Sequence, residues 1–345
     1  MKRTEIAELG EFGLIERLKK YETRQHASTL KGIGDDAAVW KIDEERYGLL
    51  STDLLAEGIH FDLGYTPLKH LGYKAIAVNV SDIVAMNGYP KRAVVSIALS
   101  NRFSVEAIEE LYEGMKIACE RYRVDLVGGD TTSSRSGLII NVAIEGEVSA
   151  QRIAYRHTAR VHDVLCVTGD LGAAYIGLQI MEREKQVFLA NPEQQPDLTP
   201  YDYVVERLLR PEARLDMVEE FRKREVIPTA MIDISDGLAS EILHLCTQSN
   251  TGALVYEERI PIDRMTYEVA VNEFKIAPTI CAMNGGEDYE LLFALSPSDF
   301  EKVKDHPDIV PIGYLTHPSE GTYLQTRGGN LVKIEAQGWN HFKKS

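Results

Sequence analysis

Six aspartates carry the strongest chemical signal in this sequence, because each falls where a predicted strand or helix ends or turns. They are Asp36, Asp53, Asp82, Asp130, Asp233 and Asp236. An aspartate at a turn or a helix N-cap is common for backbone hydrogen-bonding reasons alone, so each one taken singly has an ordinary explanation. Their number and similar placement raise the alternative that they meet in one site.

Asp82 is the aspartate that a capping role explains least. Helical spacing places it on nearly one face with Ala75, Val78 and Met86, which makes it an acid in an apolar stripe. Burying an isolated carboxylate costs several kcal/mol. The sequence therefore predicts that Asp82 is paired or bound to metal.

A gathering of these carboxylates would require cations. Two like charges about 4 Å apart repel by roughly 4 kcal/mol at an effective dielectric constant near 20. The hydroxyls of Ser51 and Thr52 lie beside Asp53, and no cysteine or histidine cluster is present. Oxygen ligands of this kind favour Mg²⁺ over Zn²⁺. Several Mg²⁺ ions on such a platform suit a polyphosphate substrate in phosphoryl transfer, although a two-metal phosphatase or nuclease would use the same residues.

Glycine-rich turns accompany the acids in GIGDD, VGGDTTSS, TGDLG and NGGEDYE. Glycine lets the backbone approach a ligand closely, and it is also ordinary turn punctuation. The sequence contains no GxxxxGK[ST] loop, no strand-to-helix GxGxxG and no kinase-type HRD or DFG set. Any ATP chemistry would therefore use another architecture.

The first half of the chain alternates predicted strands and helices. Residues 46–55 read as a strand that runs into a polar turn at Ser51, Thr52 and Asp53, and residues 66–88 as one helix that contains Asp82. A helix is predicted from Ser104 to about Arg121. The stretches AVVSIALS and LIINVAIEGEV are predicted strands, and VDLVGGD is a predicted strand that ends in a turn.

A polar, basic connection at residues 148–162 marks the predicted domain boundary, giving domains 1–148 and 149–345. In the second half, MIDISDGLASEILHLC predicts strand, turn and helix, with Ser235 or Asp236 able to cap the helix near Leu238. The stretches DVLCVT, YELLFALS, IVPIGYLT and LVKIEA predict strands. The stretch NPEQQPDLTP predicts a surface loop.

The composition narrows the class of protein. The chain has 345 residues, 44% of them hydrophobic, and a formal net charge of −15, which argues against a nucleic-acid partner. Four scattered cysteines form no disulfide framework, and neither a signal peptide nor a membrane-spanning stretch is evident. We therefore predict a cytoplasmic protein with no membrane or nucleic-acid partner.

Several segments together resemble thiamine-monophosphate kinase, within the ATP-using enzymes related to aminoimidazole ribonucleotide synthetase. They are GEFGLIERL, GIGDDAAV, STDLLAEGIHF, YKAIAVNVSDIVAMNGYP, LVGGDTT, IDISDGL and GGEDYELLF, with HF close to the C-terminus. The resemblance implies an α/β (α+β) protein with a two-domain aminoimidazole ribonucleotide synthetase-like fold, whose N-terminal sheet pairs across a dimer. It implies transfer of the ATP γ-phosphoryl group to thiamine monophosphate, giving thiamine diphosphate and ADP.

The resemblance also implies roles for particular residues. The Mg²⁺ ligands would be Asp36, Ser51, Thr52, Asp53, Asp82, Asp130 and Asp233, with Asp236 as a further ligand. The ATP contacts would be Tyr112, Gly129, Asp130, Arg156 and Ser235, and the substrate contacts His60, Glu287 and Trp339. The acceptor phosphate would attack directly and in line, with no phosphoenzyme, because an anionic acceptor needs charge neutralisation and alignment more than a base.

Each non-acidic residue has an ordinary alternative role. His60 could be a loop histidine, Tyr112 a core aromatic, Arg156 a solvated surface charge and Trp339 a packing residue. Glu287 shares GGEDYE with two other acids. The sequence also departs from the family pattern. His162 stands in RHTARVHD where glycine is common, so the local turn is expected to differ, AMNGYP replaces a more usual AMGA, and the loop at residues 186–201 looks long.

Rival functions remain open on the sequence alone. A sister enzyme of the group would keep ATP and Mg²⁺ and change the acceptor, although a selenophosphate synthetase would be expected to carry a reactive cysteine near the N-terminus, and the first cysteine here is Cys119. A non-enzymatic nucleotide or metal-ion sensor is the other alternative. A homodimer is expected because AVVSIALS and LIINVAIEGEV are too apolar to leave uncovered on both faces.

Overall fold

The computed structural model describes residues 6–193 and 195–336, and this part of the chain forms two sheets flanked by helices. The strands are β1 (Thr29–Lys31), β2 (Ala38–Lys41), β3 (Arg46–Ala56), β4 (Tyr89–Leu99), β5 (Asp125–Ser133), β6 (Ile139–Ser149), β7 (Val164–Thr168), β8 (Ala230–Asp233), β9 (Gly252–Tyr256), β10 (Leu291–Leu295), β11 (Ile309–Thr316), β12 (Thr322–Gln325) and β13 (Leu331–Lys333). The α-helices are α1 (Ile6–Leu18), α2 (Leu68–Ala85), α3 (Val105–Tyr122), α4 (Ala173–Ala190), α5 (Asp202–Leu209), α6 (Leu215–Lys223), α7 (Leu238–Ser249), α8 (Arg264–Val269), α9 (Pro278–Asn284) and α10 (Pro297–Val303).

The first sheet has the strand order β1-β2-β3-β6-β4-β5 and the second has the order β13-β12-β9-β11-β7-β10-β8. In the first sheet only β4 and β5 run parallel, and in the second only β9 and β12 do. Both sheets are therefore mixed, and the predicted α/β (α+β) class is confirmed. No helix in the described part of the chain combines the length and apolarity needed to span a bilayer.

Helix α2 lies at the centre of the molecule. It packs against β3, β4 and β6 of the first sheet and against β8 of the second. Its crossing with α3 is close, because a Cβ on Gly72 would lie 1.9 Å from the Leu111 carbonyl oxygen and one on Gly114 would lie 1.8 Å from that of Lys69. Only glycine permits this approach. The result is that α2 is buried along most of its length and carries Asp82 into the interior.

Two predicted turns are wrong, because both strands continue through them. Strand β3 pairs with β6 over its whole length, from Arg46 opposite Ser149 to Ala56 opposite Ile139, so the Ser51–Asp53 stretch is extended. Strand β5 likewise runs on to Ser133, through the Gly-Gly-Asp stretch. Pairing along a full ladder outweighs the local turn preference of serine, glycine and aspartate.

Other boundaries differ less. Helix α4 extends to Ala190, so the first residues of the segment predicted as a loop at 186–201 are helical, whereas residues 191–193 and 195–198 lie outside helices and strands. Gly237 is the N-cap residue of α7 and no side chain caps that helix, so Ser235 and Asp236 do not have the capping role that the sequence allows. The predicted strands of the second half all occur, and helix α3 begins after Ser104, whose hydroxyl accepts a hydrogen bond from the Ala107 backbone N–H.

The connector between the sheets keeps a glycine-like turn despite its histidine. His162 has a φ of +77°, and its backbone N–H donates to the Leu315 carbonyl oxygen at 2.8 Å. The left-handed region costs a residue with a Cβ about 1–2 kcal/mol. His162 therefore adopts a backbone conformation that glycine favours, although it is not a glycine.

We expect His162→Gly to raise the free energy of unfolding by up to about 1 kcal/mol, because the relief of strain exceeds the entropy that glycine adds to the unfolded chain. Urea unfolding measures the change. His26→Gly is the matched control, since His26 is an exposed loop residue without a positive φ, and it should lower the stability slightly. Equal effects of the two substitutions would contradict the strain at His162.

Candidate active site

Three aspartates from three different elements meet at the junction of the two sheets. Asp36 comes from the loop before β2, Asp82 from α2 and Asp233 from the end of β8, and one carboxylate oxygen of each lies within 4.8 Å of the others. Like charges at that distance repel by roughly 3 kcal/mol per pair at an effective dielectric constant near 20. Such a cluster is stable only if protons or cations compensate it.

Hydroxyl groups orient two of the three carboxylates. Ser51 Oγ donates to Asp82 Oδ2 at 2.5 Å and also lies 3.0 Å from the Asp36 carbonyl oxygen. Ser81 Oγ donates to Asp233 Oδ2 at 2.7 Å. These contacts fix the direction of the carboxylates, and every candidate ligand atom in the cluster is an oxygen. This donor set fits a hard cation such as Mg²⁺ and does not fit a zinc site.

The electrostatics show the cost of crowding these acids. Burial, together with the charge of Asp36, raises the pKa of Asp233 to about 8. Burial and the charge of Glu287 raise the pKa of Asp53 to about 6. Burial, with the charges of Asp53 and Asp233, places the pKa of Asp82 well above its usual range. The metal-free cluster therefore holds protons that a bound cation would displace.

Arg156 is the cation that already compensates part of the cluster. Its guanidinium binds Asp36 through two hydrogen bonds, from Nε at 3.0 Å and from Nη2 at 2.5 Å. Its backbone N–H donates to Asp35 Oδ1 at 3.2 Å. The charge of Asp36 holds the pKa of Arg156 above its usual value despite burial. Arg156 is thus part of the site in the ligand-free chain and is not a solvated surface charge.

A cavity of about 690 Å³ opens beside the cluster and contains most of the other predicted residues. Strand β2 pairs with β3 only as far as Leu50, so the edge of β3 beyond that point is open to the cavity. Of the residues implied by the resemblance, Thr52, Asp53, His60, Asp82, Asp233, Ser235, Asp236 and Glu287 line it. Thr52 points to the other face of the sheet from Asp53, donating to the Val142 carbonyl oxygen at 2.8 Å.

His60 and Glu287 both line the cavity. His60 Nδ1 accepts a hydrogen bond from the Ala56 backbone N–H at 3.0 Å, which directs its proton to Nε2 when the ring is neutral. Glu287 lies in a loop with φ of +63° and its backbone N–H donates to the Ser235 carbonyl oxygen at 2.7 Å. Among the three acids of GGEDYE, only Glu287 lines the cavity.

The other two acids of that motif are structural. Asp288 accepts hydrogen bonds from the Gly172 backbone N–H, the shorter at 2.9 Å. Glu290 accepts from Arg207 at 2.9 Å and from Arg214 at 2.7 Å. Both carboxyl groups are buried and fully engaged. They hold the GGEDYE loop so that Glu287 is presented to the cavity.

Three predicted residues lie away from the cluster. Asp130 is exposed, and the strand pairings place it in one row across the sheet with Ser96, Asn141 and Leu54. It therefore lies on the face opposite Asp53. Its strand, β5, is three strands from β3, a distance of about 14 Å. Tyr112 is half-buried on α3, beside a separate cavity of about 1060 Å³. Gly129 lies on β5, where a Cβ would be 1.8 Å from the Val95 carbonyl oxygen, so close strand packing already requires glycine. Trp339 lies outside the described residues.

Sequence reasoning missed several residues at the site. Asn79 Oδ1 accepts from the Asp53 backbone N–H at 2.9 Å, and Tyr289 and Lys74 line the cavity. Lys74 precedes Asp82 by eight residues, two turns of α2, so helical spacing could have placed it on the same stripe. Asp35, whose pKa burial raises to about 6, gave no signal beyond its position next to Asp36.

Comparison with known proteins first defines the class. Residues 34–148 match the AIR synthase related protein N-terminal domain, and residues 160–317 match the AIR synthase related protein C-terminal domain. The two domains are thus those of an AIR synthase related protein. Structures of the hydrogenase maturation protein HypE share the fold, for example at a TM-score of 0.67 and 14% identity for one in complex with ATP.

Individual relatives define the family more closely. The thiamine-monophosphate kinase of Bacillus subtilis is 32% identical over 97% of this chain and 100% of its own length, and that of Aquifex aeolicus is 35% identical over 98% and 99%. The structure of AaThiL complexed with AMPPCP and TMP aligns with a TM-score of 0.84 at 33% identity, covering 99% of this chain and all of that one. The chain belongs to the thiamine-monophosphate kinase family.

Proposed function

We propose that this protein transfers the γ-phosphoryl group of ATP to thiamine monophosphate, with Mg²⁺ ions held at the cluster of Asp36, Asp82 and Asp233. The observation that supports this most directly is the convergence of three carboxylates within 4.8 Å, at the edge of a cavity large enough for a small-molecule substrate. Membership of the thiamine-monophosphate kinase family supports the choice of nucleotide and acceptor.

The protein's own groups would act mainly by holding and aligning charge. Asp36, Asp82 and Asp233 would hold Mg²⁺, which would supply charge neutralisation for the phosphate oxygens. Ser51 and Ser81 keep the carboxylates of Asp82 and Asp233 aimed at one point. Arg156 presents a guanidinium whose forked donors suit phosphate oxygens. The acceptor is already an anion, so we assign no side chain as a general base.

The substrate would occupy the cavity between His60 and Glu287, with ATP nearest the aspartate cluster. Asp53 and Asp236 line the same cavity and are our further candidates for metal ligands. Ser235, in the same loop as Asp236, is our candidate ATP contact. Trp339 stays a prediction from the resemblance.

Incubating the purified protein with ATP, MgCl₂ and thiamine monophosphate tests the function. Phosphorus NMR should show the disappearance of the monoester signal and the growth of diphosphate signals, with ADP in equal amount. Phosphate release from ATP with no new diphosphate ester would indicate a hydrolase. Binding of Mg·ATP without turnover would indicate a sensor, and turnover only with a different acceptor would indicate a sister enzyme.

We further propose that the protein is a homodimer built on the outer face of the first sheet. This face carries Leu50, Leu54 and Val94, whose exposed fractions are 48%, 52% and 40%. Rows of residues across β3, β6 and β4 place all three on the side away from α2. Asp130 lies on the same face and Gly129 on the same edge strand.

We expect light scattering to give twice the 38.6 kDa mass of one chain, and Val94→Asp to give a single-chain mass, because a charge cannot be buried unpaired in an apolar interface. Val187→Asp is the control, since Val187 is 37% exposed on α4 and lies outside this face. A monomeric unmodified protein at micromolar concentration would contradict the dimer.

A cytoplasmic location remains part of the proposal. All four cysteines, Cys119, Cys166, Cys246 and Cys281, are free and buried. Burial raises the pKa of Cys119 and of Cys281 to about 11, so both are unreactive thiols. This pattern fits a reducing compartment.

A further inference from the structure

Lys74 is an unusual residue for its position, because it is a buried cation in the middle of helix α2. Its exposed fraction is 3%, and in residues 6–193 and 195–336 every other lysine and arginine is more exposed. Lysine is among the residues least often fully buried, and burial of its ammonium group is costly without an anionic partner. A cation kept in such a place calls for an explanation in the chemistry around it.

The surroundings of Lys74 are strongly acidic. Lys74 lines the 690 Å³ cavity, two helical turns from Asp82 on the same helix. The same cavity is lined by seven carboxylates: Asp53, Asp62, Asp82, Glu182, Asp233, Asp236 and Glu287. Lys74 is the single lysine or arginine among the lining residues in the described part of the chain. An anionic ligand entering this cavity would therefore find one fixed ammonium group there.

The present partner of Lys74 is replaceable. Its Nζ forms an ion pair with Glu287, whose side chain is 31% exposed. The Glu287 backbone has φ of +63° and follows Gly286 at φ of +69°, so the carboxylate is held by a tight loop and not by a helix or strand. A phosphate monoester brings nearly two negative charges and three acceptor oxygens. Such a group can displace or share the contact of a single carboxylate on an ammonium group.

We propose that Lys74 binds the phosphate of the acceptor and selects phosphate monoesters over the unphosphorylated alcohol. The inference rests on the proposed function, and it adds the one ammonium group that compensates the acceptor's charge in a cavity lined by seven carboxylates. Lys74 is then a residue that touches substrate, and Glu287 is its partner while the acceptor is absent. This role explains why one buried lysine is placed among seven carboxylates.

Binding measurements with a matched pair of ligands test the proposal. Isothermal titration calorimetry on the full chain, with MgCl₂ and a non-hydrolysable ATP analogue, gives the Kd of thiamine monophosphate and of thiamine. We expect Lys74→Met to weaken thiamine monophosphate binding by about 10- to 100-fold, the usual value of a hydrogen bond to a charged group, while thiamine binding changes less than about threefold. Lys69→Met is the control, since Lys69 is exposed on the same helix and pairs with Glu113 at 3.3 Å.

Two results would overturn the proposal. If Lys74→Met weakens both ligands equally, Lys74 only holds Glu287 in place. If the unmodified protein binds thiamine as tightly as its monophosphate, no phosphate contact of this kind exists. Should Lys74→Met be unfolded by circular dichroism, Lys74→Gln is measured in its place with the same expectation. Failure of the unmodified protein to form thiamine diphosphate would instead count against the proposed function, so the two failures are distinguishable.

Discussion

Replacement of Asp82 by asparagine should reduce kcat by at least about 1,000-fold, the size of effect seen when a preorganised group that stabilises transition-state charge is lost. Asp82 shares the cluster with Asp36 and Asp233 and is held by Ser51, so asparagine keeps the shape and removes one anionic ligand. ATP binding should weaken far less than kcat falls, because the lost charge matters most as the phosphoryl group moves. Steady-state kinetics and nucleotide titration measure the two effects.

The same variant should be at least as stable as the unmodified protein when metal is removed. Burial and the charge of Asp53 raise the pKa of Asp82, which shows that an ionised Asp82 is unfavourable in the folded protein. Asparagine cannot ionise, so it avoids this cost. Loss of activity without loss of stability separates a functional role from a structural one. Asp305→Asn, at an exposed position, is the control and should leave both unchanged. A mild and equal loss of kcat and ATP affinity in Asp82→Asn would contradict the metal-holding role.

The stability of the metal-free protein should fall as the pH rises from about 5 to about 8. The folded-state pKa values of Asp53 and Asp233, about 6 and about 8, lie above the ordinary value of 3.8. In this range the folded state therefore binds more protons than the unfolded state, so deprotonation favours unfolding. The loss should be on the order of a few kcal/mol. Millimolar Mg²⁺ should reverse it, because the cation binds the ionised folded cluster.

Urea unfolding at pH 5.5 and pH 8.0, each with EDTA and with MgCl₂, measures this linkage. Asp233→Asn provides the comparison, since it removes a carboxyl group whose pKa burial raises to about 8, and it should flatten both the pH dependence and the Mg²⁺ effect. Ionisable groups far from the cluster contribute equally to both proteins and cancel in the difference. The electrostatic account would be contradicted if, without metal, the unmodified protein and Asp233→Asn showed the same change in stability between pH 5.5 and pH 8.0.

Local patterns in the sequence were sufficient for the elements that carry the site. The apolar stripe of α2 predicted a helix with an enclosed acid, and the structure places Asp82 where two other carboxylates meet it. The convergence itself could be inferred only from the energetic argument that such acids need cations. Which of the six aspartates take part depended on contacts between residues up to two hundred positions apart, which no local pattern encodes.

Strand pairing explains the main errors. The serine, threonine and aspartate of β3 and the glycines of β5 have the composition of turns, but both segments have neighbours that complete their hydrogen bonds as strands. Their side chains therefore alternate between faces. Alternation sends Thr52 and Asp130 to the outer face while Ser51 and Asp53 face the cluster. A prediction that treats these residues as one turn cannot separate the two faces.

The ion pairs formed by the two cations of the site could not be predicted from the sequence for a different reason, although the family resemblance had already assigned Arg156 to the site. Arg156 stood in a polar connector that resembled a solvated surface, and its burial follows from the docking of that connector against the loop that carries Asp36. Lys74 was surrounded by apolar residues of α2 and its partner Glu287 lies 213 residues later. Ion pairs over such sequence separations are set by the tertiary structure, so only the folded chain shows which charges compensate which.

Anomalous X-ray scattering from crystals grown with MnCl₂ and a non-hydrolysable ATP analogue tests the central claim most directly. Manganese replaces Mg²⁺ at oxygen sites and is visible by its own signal. The account predicts manganese peaks about 2.0–2.2 Å from carboxylate oxygens of Asp36, Asp82 and Asp233, with phosphate oxygens completing the coordination. Manganese bound elsewhere, with these three carboxylates free of metal in the nucleotide complex, would contradict it.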